Sequence, residues 1–99
     1  MNKVQWQEIQ NQLPVGSSVS GIVKQREVYG VFVKIDAIAE EHEALLQVIA
    51  FRTAKQRPSK FPEDYPDVGS QIETKIAYYS TEIGKLRLTQ LEEDPHNAK

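Results

Sequence analysis

In the stretch Tyr29-Gly30-Val31-Phe32-Val33 a glycine separates two aromatic residues, and Lys34 follows directly. Aromatic rings offer flat faces on which nucleic-acid bases stack, and lysines beside them offer charge to phosphates. Much later in the chain, Lys85 and Arg87 alternate with Leu86 and Leu88 in the same manner. If both segments are strands of one small barrel, Val31, Val33, Leu86 and Leu88 point inward and Phe32, Lys34, Lys85 and Arg87 point outward. Aromatics and cations on one outer face are what a single-stranded nucleic-acid binder needs. The alternative is an ordinary solvated surface, since many barrels expose a phenylalanine and a lysine. The simple parity of Tyr29 turns it inward, unless Gly30 sits at a bulge that returns it to the outer face.

Other chemistry-bearing residues point to no reaction. From Ala44 to Pro62 there is no acidic residue, while Arg52, Lys55, Arg57 and Lys60 all fall there, so these four are candidate phosphate contacts or the charges of a solvated loop. The formal net charge of −2 argues against holding nucleic acid by bulk electrostatics. His42 and His96 have no metal-ligand spacing, cysteine is absent and no glycine-rich phosphate loop occurs. Glu92 and Glu93 read as solvated carboxylates. The expectation is a non-enzyme with no metal, no cofactor and no small-molecule substrate, and with structural roles for both histidines.

The elements that must position these residues follow from periodicity. A chain of 99 residues, 39% hydrophobic, suits one domain with one modest core. Its apolar runs are too short to span a bilayer, its first residues lack a secretory pattern, and the absence of cysteine fits a cytoplasmic location. Trp6, Ile9 and Leu13 share one stripe of a short amphipathic helix within residues 1–14, with Asn2 as a cap and Pro14 and Gly16 as stops. Trp6 anchors that helix on the barrel floor in preference to stacking on a base.

Period two then sets in. Val19, Gly21 and Val23 share the inner face of a first strand, with Lys24 on the outer side, and Gly21 marks a bulge or bend. A second strand covers Val31 to Ile35 and a third Ala44 to Val48, joined by a polar connection that carries His42. A long irregular connection with Pro58, Pro62 and Pro66 opens with a helical turn around Ala50 to Gln56. A fourth strand, Ile72 to Tyr79, has Ile72, Thr74, Ile76 and Tyr78 on one face. A fifth, Lys85 to Leu91, turns Thr89 outward, and residues 92–99 form an acidic flexible tail. Five strands with a long connection from the third to the fourth is the layout of an all-β OB-fold Greek-key barrel. An SH3-like barrel is the rival that periodicity alone leaves open.

Several motifs in order resemble the S-one RNA-binding domain, the OB-fold repeat of the largest bacterial small-subunit ribosomal protein. They are Val15-Gly16-Ser17-Ser18-Val19-Ser20-Gly21-Ile22-Val23, Tyr29-Gly30-Val31-Phe32-Val33, Ala44-Leu45-Leu46-Gln47-Val48, Val68-Gly69-Ser70 and Gly84-Lys85-Leu86-Arg87-Leu88-Thr89. The resemblance covers residues 15–91 and implies an OB-fold. It implies that Tyr29 and Phe32 are the two stacking aromatics and that Lys85 stands where a basic residue follows the last turn. Gln47 occupies the place of a usual histidine and Ser80 that of a usual aspartate; an amide can still bond a base edge but cannot stack as an imidazole does. The expected function is weak, low-specificity binding of single-stranded RNA on a face of Tyr29, Phe32, Lys34, Gln47, Lys85 and Arg87, in translation or RNA metabolism, with the ribosome or RNA-processing proteins as partners. The alternative is a protein-interaction barrel that has lost RNA contact.

Overall fold

The structure is a computed structural model and describes residues 1–52 and 59–91. Helix α1 spans Lys3–Gln12 and starts in a reciprocal cap: the Asn2 side chain accepts from the Gln5 amide, and the Gln5 side chain accepts from the Asn2 amide, both at 2.9 Å. Its stripe docks as the spacing predicts. Trp6 is buried edge to face against Tyr79, with ring centroids 5.2 Å apart, and Ile9 and Leu13 pack beside it. The Tyr79 hydroxyl donates to the Leu13 carbonyl at 2.5 Å, which fastens the end of the helix to the barrel.

Five strands follow: β1 Ser18–Glu27, β2 Gly30–Ile35, β3 Glu43–Gln47, β4 Gln71–Tyr79 and β5 Lys85–Thr89. They close in the order β1-β2-β3-β5-β4, with β3 and β5 parallel and every other pair antiparallel. This is the OB-fold that the strand count and the long third connection predict. Its interior is filled by the inward residues of each strand, among them Val23, Val31, Ile35, Leu46, Ile76, Leu86 and Leu88, each at most 1% exposed.

The departures from simple alternation lie at two bulges, and neither is at a glycine. On β1 the register skips Lys24, since Val23 pairs with Val33 and Gln25 with Phe32. On β4 it skips Ala77, since Ile76 pairs with Leu88 and Tyr78 with Arg87. The second bulge reverses the predicted parity at the end of β4: Tyr79 rather than Tyr78 packs on the core, and Ala77 is buried. Thr89, predicted to face outward, is buried, and its hydroxyl accepts from the Leu91 amide at 3.0 Å. A 3-10 turn covers Val48–Ala50, and most of the helical turn predicted around Ala50 to Gln56 falls on residues 53–58, which lie outside the described residues.

Gly21 and Gly30 stay in register, and both are required by close approach. A Cβ on Gly21 would lie 2.4 Å from a Val33 methyl and 2.7 Å from the Lys34 carbonyl oxygen. One on Gly30 would lie 2.3 Å from the Leu46 carbonyl oxygen and 2.9 Å from the Gln47 Cα, both backbone atoms that no rotamer change can move aside. Gly30→Ala is therefore expected to cost about 1–3 kcal/mol, toward the upper end, read as a lower urea midpoint. A loss under about 0.5 kcal/mol would show that β2 and β3 can separate there without penalty.

Candidate functional site

The turn between β1 and β2 is only two residues long, Val28-Tyr29, because Glu27 pairs with Gly30. Tyr29 stands outward, 52% exposed, because it occupies this turn and not because of a bulge at Gly30. The turn is held from two sides. The Val48 amide donates to the Tyr29 carbonyl at 2.9 Å, and the Tyr65 hydroxyl donates to the Val28 carbonyl. Tyr65 comes from the long third connection, where it is buried between Phe51 and Phe61, with centroids 5.0 Å from each.

Phe32 projects from the outer side of β2, and its ring meets that of Tyr29 at 6.1 Å and 85°. Perpendicular rings do not form one flat platform. A base lying on one ring meets the edge of the other, so each aromatic offers its own face. Both rings open onto a cleft of about 720 Å³, bounded by the β1 bulge, β2 and the connection from β2 to β3, with Lys24, Gln25, Lys34 and His42 in its walls. That is large enough for a small ligand or a nucleotide segment.

The cations of the predicted site are arranged differently from one another. Lys34 turns its ammonium onto the β2–β3 connection, donating to the Ile38 carbonyl and, at 3.4 Å, to that of Ile35. Lys85 is held between Glu82 at 3.3 Å and Glu43 at 3.5 Å, and the hydrogen bond it donates to Glu82 is the main cause that raises its pKa. Arg87 lies across the face, opposite Leu45 on one side and Tyr78 on the other, with its Nε buried. Gln47 pairs with Gly30 at the end of β3. The cleft thus unites Tyr29, Phe32 and Lys34, while Gln47, Lys85 and Arg87 stand outside it on the β3 and β5 side.

Arg52 lines a separate crevice with Ser18, Glu73 and Lys75, and Lys60 is an exposed residue whose backbone amide bonds Asp64. Neither joins the aromatics. Lys55, Arg57 and His96 lie outside the described residues. Lys24 and Gln25 were not among the predicted site residues. Alternation did put Lys24 on the outer face, but only the bulge at that position turns both side chains toward the aromatics.

His42 is a brace, as a structural role requires. Its Nε2 accepts from the Ile35 amide at 3.1 Å, which makes Nδ1 the donor to the Glu40 carbonyl, also at 3.1 Å. Burial pushes its pKa below 6.5, against a raising contribution from the Glu40 carbonyl, and the Lys34 charge lowers it further.

No protein-family model matches the sequence, and no curated protein does. Solved structures match it in fold. The a/eIF2alpha-aDim2p-rRNA complex from Pyrococcus horikoshii contains a chain that aligns at TM-score 0.67 and 19% identity, over 84% of this chain and 47% of that one. GSP13 from Bacillus subtilis aligns at 0.61 and 24%, over 88% of this chain and 65% of that one. A putative exosome complex RNA-binding protein aligns at 0.58 and 22%, over 82% and 45%. The chain therefore spans less than two thirds of the length of each. At these identities the shared property is the barrel, and the resemblance to the S-one domain is matched at the level of fold.

The neutral state of His42 sets a pH dependence. Above about pH 6.5 the ring is neutral folded or unfolded, and its bonds contribute in full. As the pH falls below that value the unfolded chain takes up a proton that the folded ring resists, so stability declines. Urea midpoints should fall between about pH 6.5 and pH 5, and His42→Gln should flatten that fall. A variant with the same decline as the parent would remove His42 as its cause.

Proposed function

We propose that this barrel is a weak, low-specificity binding module for single-stranded RNA, working in translation or RNA metabolism and without a catalytic step. The observation that carries the reading is the pair of exposed rings, Tyr29 and Phe32, opening onto one cleft with lysines in its walls. Bases of any identity have a face to stack, so two rings on a rigid turn favour binding with little sequence preference. The fold neighbours agree in kind: one was solved in a complex with rRNA, and another carries RNA binding in its name.

Magnitudes set the affinity. Stacking contributes about 1–3 kcal/mol per base, so two rings supply roughly 2–6 kcal/mol. Alone, that corresponds to Kd values between roughly tens of millimolar and tens of micromolar. Tighter attachment then comes from a second module or from the ribosome or another RNA-protein assembly, which raises effective concentration. A cytoplasmic setting suits such partners.

A second reading has its own observation. Lys34 and Lys85 spend their charge on carbonyls and carboxylates within the barrel, which suits a surface that meets a protein. Salt separates the two, because phosphate contacts weaken steeply with ionic strength and an apolar interface does not. Titrated with a short oligouridylate at low salt, the chain should show amide shifts centred on β1, β2 and their turn. Tyr29→Ala with Phe32→Ala should weaken binding at least ten-fold, in line with the loss of about 1–3 kcal/mol per ring. Unchanged affinity in the double variant, or shifts confined to other faces, would contradict RNA binding at this site.

A further inference from the structure

The walls of the aromatic cleft differ in charge, and the difference assigns a path to the bound strand. On the β2–β3 side stand the carboxylates of Glu41 and Glu43. On the β1 side stand Lys24 and Gln25, consecutive residues that are both exposed because the bulge interrupts alternation between them.

Three neighbouring cations have partners. Lys34 donates to two backbone carbonyls, Lys85 sits between Glu43 and Glu82, and Arg26 pairs with Asp67 at 3.5 Å. Lys24 has no carboxylate or carbonyl partner among the described residues and lines the cleft beside both rings. Gln25 is turned along its own strand, its amide donating to Glu27 at 2.5 Å. A phosphate that approached Lys85 would have to displace or oppose two carboxylates, whereas one over the bulge meets an uncommitted ammonium.

Building on the RNA reading above, we infer that a phosphate of the nucleotides stacked on Phe32 and Tyr29, one on each ring, is bound by Lys24 at the β1 bulge, so that the strand backbone crosses the barrel on the β1 side and not along β5. Lys85, at the position that the S-one resemblance makes the basic contact, then serves to tie β5 to β3 and to the β4–β5 turn. Glu41 steers the backbone by repelling it from the opposite wall. Alternation already places Lys24 outward, and the bulge adds Gln25 to the same side of the cleft.

The test compares Lys24→Ala and Lys85→Ala in titrations with a short oligouridylate over a series of salt concentrations, followed by amide chemical shift. Lys24→Ala should weaken binding about three- to five-fold and reduce the slope of log affinity against log salt by about 0.7, the share of one phosphate on a single strand. Lys85→Ala should leave both within error. Lys24→Gln, which keeps a polar side chain on the bulge, should reproduce the loss and so exclude a packing effect. If Lys85→Ala lowers the slope as much as Lys24→Ala, the assignment is overturned. If neither lysine matters while the Tyr29 and Phe32 variants abolish binding, the assignment fails and the RNA reading stands. If the parent chain gives no shifts at all, the RNA reading fails and takes the assignment with it.

Discussion

The feature on which the rest of this surface depends is the two-residue turn at Val28-Tyr29 and the hydrogen bonds that hold it. A tight turn at the open end of a hairpin would ordinarily be among the most mobile parts of a barrel. Here the carbonyls of both turn residues are engaged, one by the Val48 amide and one by the Tyr65 hydroxyl. The close approach of Gly30 to the Leu46 carbonyl brings β3 against the foot of the turn. Tyr29 is thus presented on a fixed backbone with its ring 6.1 Å from that of Phe32, so the proposed binding of a base leaves less ordering to be done. The long connection between β3 and β4 acquires a role from this: by burying Phe51 and Tyr65 it becomes the buttress of the aromatic turn.

Electrostatics is organised with similar economy. The chain carries more acid than base, and several of its lysines and arginines serve the fold. Lys34 and His42 brace the β2–β3 connection from its two sides, and Lys85 links three segments through Glu43 and Glu82. Exposed ion pairs of that kind add little stability, so their main consequence is to remove charge from the face. Under the proposed RNA reading, binding by such a surface rests on stacking, which fits a module that works beside others.

Much of the fold could be read in the sequence because its core obeys period two. Val31, Val33 and Ile35, and later Leu86 and Leu88, are buried where alternation places them, and Asn2 and Trp6 cap and anchor the helix as their positions require. The two bulges could not be read, since an extra residue in one strand is defined by its partner strand, and neither Lys24 nor Ala77 carries a local sign of it. Tyr78 and Tyr79 exchanged roles for that reason. Gly21 and Gly30 suggested bulges, yet their absent Cβ atoms make room for neighbouring backbone. The aromatic pair was legible. The engagement of Lys34 and Lys85 was not, because it depends on which carbonyls and carboxylates the barrel brings to them.

In the proposed complex a single strand lies in the cleft between the aromatic turn and the β1 bulge. The most direct measurement is photo-crosslinking of a short thiouridine-containing oligonucleotide to the chain, with the attachment sites mapped by peptide mass spectrometry. The expected result is attachment at Tyr29 and Phe32 and at residues flanking Lys24. Attachment confined to β4, β5 or helix α1, with the aromatic turn unmodified, would contradict it.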